Sequence, residues 1–219
     1  MRIAGVDGRR RGWVIALVDI AGQPTLQDLS YHNSLTDVLA SDVRAIAIDM
    51  PIGLADEASR ECDVAARRLL RPHGSRVFPA PPRSTLPYAD DYARACEVSR
   101  ETAGKAISRQ TWNLLPAIAE VDGFADDPRL VECHPEISFA LMNGHPLDEG
   151  KKTPEGRAVR LDLLRRWLPE LDDPQFGDDG LDALACTWSA ARIVEGAALT
   201  LPAGELHRDA QGRPMRICA

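Results

Sequence analysis

Residues 3–17, IAGVDGRRRGWVIAL, are the stretch whose reading decides the fold. A short apolar run (Ile3, Ala4, Val6) ends in Asp7. The chain then turns through Gly8 and Gly12, with three arginines between them, and resumes as the apolar run Trp13–Val18. Apolar runs bounded by glycine read as a β-hairpin, here with a carboxylate at the mouth of its first strand. Residues 44–54, RAIAIDMPIGL, repeat the arrangement: a continuous apolar strand ends in Asp49, and Pro51 and Gly53 stop it. If the two strands lie side by side and parallel, Asp7 and Asp49 meet at one edge of the sheet, where a divalent cation would offset their repulsion.

Between these stretches, Gly22-Gln23-Pro24 marks a turn and Thr25–Tyr31 alternates as a third strand. Ser34 is placed to cap a short helix, Leu35–Ala40. That helix serves as the crossover that makes the Asp49 strand parallel to the first. The opening is therefore β-β-β-α-β. A helical pattern over Glu57–Leu70 follows, then a segment too rich in proline for helix or inner strand, RPHGSRVFPAPPRSTLPY. Arginines 60, 67, 68, 71, 76 and 83 outnumber Glu61 and Asp63 there, which reads either as a solvated face with a stiff loop or as a phosphate-facing lid. Helices are predicted over Tyr88–Thr102 and Ser108–Val121, and a short strand over Arg129–Cys133. Further helices are predicted through Glu136–Met142, from Pro154, and over Asp178–Glu195, with a last short strand at Met215–Cys218.

The 219 residues suit one domain with an insertion, at about 54–128, and suffice to bury a core. A net charge of −7 argues against indiscriminate attraction to nucleic acid, so a polyanionic substrate would have to be met by local charge. Five widely spaced cysteines fit neither a disulfide framework nor a zinc knuckle and read as buried thiols. A strand beginning within two residues of the start leaves no room for a signal peptide, and no apolar run nears the length of a membrane span, so a cytoplasmic location without membrane attachment is expected. Walker, Rossmann, His-Glu-x-x-His and Gly-x-Ser-x-Gly motifs are missing from the sequence.

The chemistry is carried by carboxylates: Asp7 and Asp49 at strand ends, Glu132 in or after a later strand, Glu136, and Asp179 with Asp182 on the last long helix. Residues three apart on a helix share a face. Three or four carboxylates holding two Mg²⁺ or Mn²⁺ ions neutralise a scissile phosphate and activate a water, which is what phosphodiester hydrolysis requires. Asp178 and Asp179 also suit a helix's first turn, whereas Asp182 lies deeper among apolar neighbours. His134, before a proline, reads as a general base, a ligand or an ordinary loop residue.

The order β-β-β-α-β with acids ending the first and fourth strands resembles the ribonuclease H-like fold. GVDGRRRGW, IDMPIGL, RECDVAARRLL with VFPAPPR, ECHPEISF, KKTPEGR and DDGLDALACTW together resemble the domain-of-unknown-function 429 family, predicted ribonuclease H-like nucleases. The resemblance implies an α/β fold with a five-stranded mixed sheet flanked by helices. It also implies an acidic triad of Asp7, Asp49 and Asp182, with Asp179 a fourth acid as in the resolvase-like branch. The expectation is a metal-dependent nuclease or phosphodiesterase. In it Asp7, Asp49, Asp179 and Asp182 hold Mg²⁺ or Mn²⁺, with Asp179 or Glu132 orienting the water. Arg9, Arg10, Arg11, Arg76 and Arg83 would bind flanking phosphates of a nucleic acid or nucleotide, and a homodimer is compatible with this. The alternatives are a non-catalytic nucleotide- or nucleic-acid-binding module on the same fold and an actin-like ATP-dependent phosphotransferase.

Overall fold

The computed structural model describes every residue of the chain except Arg10 and Ala58. Its opening hairpin forms as the apolar runs require. Strand β1 (Arg2–Arg9) pairs antiparallel with β2 (Gly12–Asp19), which pairs antiparallel with β3 (Thr25–His32). Helix α1 (Thr36–Ala40) crosses over to β4 (Ile46–Asp49), parallel to β1, and β5 (Leu130–Glu132) adds parallel to β4. The resulting five-stranded mixed sheet runs β3-β2-β1-β4-β5, the arrangement of the ribonuclease H-like fold.

Strand alternation divides the sheet residues between two cores. Ile3, Val14, Ala16, Ala45, Ala47 and Cys133 face one way, against α5 (Pro135–Asn143), α6 (Pro154–Trp167) and α7 (Gly177–Glu195). Ala4, Val6, Trp13, Ile15, Ile46, Ile48 and Leu130 face the other, against α1 and α4 (Arg109–Gly123). Contact with α7 is close because β1 carries Gly5. A Cβ there would lie 2.1 Å from the Ala183 carbonyl oxygen and 2.4 Å from the Thr187 nitrogen.

The chain between β4 and β5 forms the expected helical, proline-rich insertion, with α2 (Glu61–Leu69), α3 (Tyr92–Ala103) and α4. Three boundaries differ from the sequence reading. Helix α2 starts at Glu61 rather than Glu57, because Arg60 is drawn out of helical geometry into a buried ion cluster. Helix α1 starts at Thr36 rather than Leu35. Ser34 Oγ accepts from the Thr36 N–H at 3.3 Å, as a cap does, while the Ser34 hydroxyl donates to Glu120 of α4, as does the Leu35 N–H, each over 2.8 Å. The tail forms a two-stranded ribbon, β6 (Thr200–Leu201) with β7 (Ile217–Cys218), shorter than the predicted last strand. All five cysteines are free and buried. Among the described residues no helix is long and apolar enough to cross a membrane.

Candidate active site

Parallel pairing sets Asp7 directly opposite Asp49 in register, at the carboxyl ends of β1 and β4. Alternation puts both on the α7 face, since Gly5 and Ala47, two residues earlier, contact that side. Helix α7 contributes Asp182, in its second turn and 2 % exposed, and Asp179, in its first turn and half-buried. Three separate elements thus bring four aspartates to one sheet edge.

The cluster is electrostatically undercompensated. Burial raises the Asp7 carboxyl well above its ordinary range, and the neighbouring Asp182 and Asp49 raise it further. Burial also raises Asp49, against the pull of His134 and Lys151. Asp182 is pushed up to about 6 by burial, although Lys151 opposes the shift. Lys151, in the loop before α6, is the cation that sequence reading passed over. Its Nζ donates to Asp182 Oδ2 over 2.7 Å, and the Asp182 charge holds its pKa up against burial. A lysine in the KKTPEGR loop beside a helix of aspartates was the available signal, but nothing local indicated which carboxylate it would meet.

An all-carboxylate donor set matches hard divalent cations such as Mg²⁺ or Mn²⁺ in type and in charge. The acids are nevertheless not gathered into a formed ion site. Among the described residues no three His, Cys, Asp or Glu side chains are grouped to hold an ion, and Lys151 stands where positive charge is needed. Residues and ion fit, provided that Lys151 yields Asp182 when the ion enters.

Glu132 does not join this cluster, which corrects its assignment as a water-orienting acid. It pairs with Ile48, whose side chain belongs to the α1/α4 face, so it leaves the sheet on the side opposite Asp7 and Asp49, although it lines the same cavity at the strand ends. There it accepts from Arg60 Nη2 at 2.6 Å and Nη1 at 2.8 Å, and from the Ile52 N–H at 2.7 Å. Burial lifts its pKa to about 7 despite the guanidinium. Arg60 also donates to Asp63 and to the Ile52 and Gly53 carbonyls.

The basic residues divide as well. Arg9 is half-exposed, approaches Asp179 Oδ2 at 3.2 Å and lies over the Phe176 ring at 5.7 Å. Arg11 is exposed and, with Arg9, Tyr31 and Phe176, lines an open depression; Arg10 lies outside the described residues. Arg76 and Arg83, expected to face phosphates, already have protein partners. Arg76 donates to Glu136 Oε2 and the Leu147 carbonyl, each at 2.7 Å, although it lines a cavity beside Asp49, His134 and Asp182. Arg83 bridges Asp122 at 2.8 Å and Asp209 at 2.5 Å. Glu136, left without a role by the sequence, is held by Arg160 as well as Arg76, and the two guanidinium groups outweigh burial to keep its pKa low.

Two solved structures have similar backbones. RuvC of Thermus thermophilus in complex with a Holliday junction substrate is 13 % identical, with 90 % of this chain and 97 % of that one covered and a TM-score of 0.43. A further structure of Thermus thermophilus RuvC is 14 % identical, with 90 % and 98 % covered and the same TM-score of 0.43. No functionally curated protein matches the sequence. The profile of the family described as "Protein of unknown function (DUF429)" matches residues 5–207, nearly the whole chain, and the protein therefore belongs to the DUF429 family.

Proposed function

We propose that the protein is a metal-dependent phosphodiester hydrolase of the nuclease type. The observation that carries this reading is the convergence of Asp7, Asp49, Asp179 and Asp182 on one sheet edge, with burial and mutual repulsion raising the Asp7, Asp49 and Asp182 carboxyls. Such crowding is costly for folding and is understandable where a cation is to be met. Mg²⁺ or Mn²⁺ bound there would supply charge neutralisation on the phosphate and a more acidic water. Asp7, opposite Asp49 and facing α7, would hold the cation together with Asp49 and Asp182. Asp179, more exposed and at the mouth, would orient the attacking water. Lys151, once displaced from Asp182, would remain within reach of the phosphate, and Arg9 and Arg11 would hold the flanking chain.

The test is calorimetric titration with Mn²⁺, followed by cleavage of single- and double-stranded oligonucleotides. Wild-type protein should bind the ion without nucleotide and cleave. Asp7→Asn should stay folded and lose at least about a hundredfold in cleavage. Absence of metal-dependent cleavage by the wild type, or normal cleavage by a folded Asp7→Asn, would sink the proposal. One observation favours a second reading: the Lys151–Asp182 pair itself supplies a cation to the cluster. A non-catalytic nucleotide-binding module would keep that pair and would not bind Mn²⁺.

A further inference from the structure

A cavity of about 180 Å³ opens beside the acidic cluster and has a character that hydrolysis alone does not explain. Asp7, Asp49 and Lys151 line one part of it. The buried Arg60–Asp63–Glu132 cluster and His134 line another part, and between them stands an apolar wall of Val77, Phe78, Pro79 and Pro81 of the proline-rich segment, with Leu114 and Ile118 of α4. A scissile phosphate and its ions have no use for such a wall. The volume is informative, because an apolar cavity of roughly 150 Å³ accommodates one benzene ring. This one has room for a single planar ring system and is far too small for a base pair.

The wall is also rigid. Three prolines at 79, 81 and 82 restrict the backbone. The Ala80 N–H between them donates to Asp63 Oδ2 at 3.0 Å, and Asp63 is in turn fixed by Arg60. The buried Arg60–Asp63–Glu132 cluster therefore ties the proline-rich segment to β5 and to the loop after β4. Phe78 is 43 % exposed, one of the few large apolar side chains that the fold leaves in solvent, and it lines the cavities on both sides. An exposed aromatic ring on a stiff loop at the edge of a ring-sized pocket is a stacking surface.

We infer that this cavity is a nucleobase pocket: the site takes an unpaired or extruded nucleotide, with its base between the proline-rich wall and α4 and its phosphate at the aspartates. This deepens the hydrolase reading and rests on it for the placement of the phosphate. Paired duplex would be excluded unless a base were turned out of the stack. The acidic net charge agrees with a site that grips one nucleotide closely rather than a long polyanion by cation density.

The experiment measures binding of dAMP and dCMP against deoxyribose 5-phosphate, in Mn²⁺, by calorimetry. All are monoesters, so phosphodiester turnover does not enter the readout. Nucleotides should bind at least about tenfold more tightly than the base-free sugar phosphate. Leu114→Trp, which fills the cavity, and Phe78→Ala, which removes a ring that is 43 % exposed, should each reduce that ratio towards one, with Tm measured alongside to show that the variants remain folded. Equal affinity of wild type for nucleotide and sugar phosphate, or an unaltered ratio in Phe78→Ala, would overturn the pocket. The two proposals separate cleanly. A protein that cleaves oligonucleotides with Mn²⁺ but shows no base preference in binding refutes only the pocket. One that prefers nucleotides but cleaves nothing supports the pocket and refutes hydrolysis.

Discussion

Asp182 shows how one carboxylate answers to two opposing environments. Burial penalises its charge and Lys151 restores part of it, leaving the pKa at about 6, above the ordinary 3.8. For an acid whose folded pKa is raised, the folded state holds the proton more tightly between the two values, so stability falls as pH rises from about 4 to about 6. Asp182→Asn removes that titration. Relative to wild type, the variant should therefore gain of the order of 2–3 kcal/mol between pH 4 and pH 7 in the absence of divalent ions, read from urea melts at both pH values. A constant difference across that range would mean that Asp182 titrates normally. Lys151 provides the complementary case. As the cation already beside Asp182, it competes with any ion that enters, so Lys151→Met should tighten Mn²⁺ binding roughly tenfold in calorimetric titration. Unchanged or weaker Mn²⁺ binding would show that the ion does not share Asp182.

The element on which the site's geometry depends is the β1–α7 contact. Asp7 and Asp182 approach only because Gly5 lets the helix backbone lie on the strand, with no room for a methyl group. Gly5→Ala should therefore cost more than about 3 kcal/mol, because the obstacle is backbone rather than a movable side chain. If the variant folds at all, its Mn²⁺ affinity should drop with its Tm, since α7 can make room only by carrying Asp182 away from Asp7. Retention of both would mean that the helix shifts without disturbing the acids. The glycine was visible in the opening strand, and a strand glycine does suggest close approach of another backbone. Which helix approaches is a tertiary matter, decided by the two-residue alternation that aligns Gly5 with Asp7. The same alternation separates Glu132 from the acids. With β5 only three residues long, a shift of one position changes the face, and the sequence offered no second apolar period to settle it.

Across the whole molecule, arginine–carboxylate bridges bind the insertion to the rest of the chain. Arg83 joins Asp122 of α4 to Asp209 of the tail, and Asp209 also accepts the Leu54 N–H. Arg83→Ala would leave the fully buried Asp209 carboxylate without its cation, and should lower Tm by roughly 5–10 °C in scanning calorimetry. A free phosphate-binding arginine would instead leave Tm unchanged and flatten the salt dependence of substrate binding. What the sequence by itself determined was the order of the first five elements and the presence of acids at the ends of two strands. Those features are local: apolar runs, glycine and proline stops, and one short crossover are enough to make β1 and β4 parallel and to bring Asp7 beside Asp49. Only the tertiary structure decided which charges meet. Lys151 reaches Asp182 across 31 residues, Arg60 reaches Glu132 across 72, and Arg83 reaches Asp209 across 126. Charged side chains carry no periodic signature of their partners, because an ion pair is fixed by where the packed backbone leaves each charge and by the cost of burying it alone.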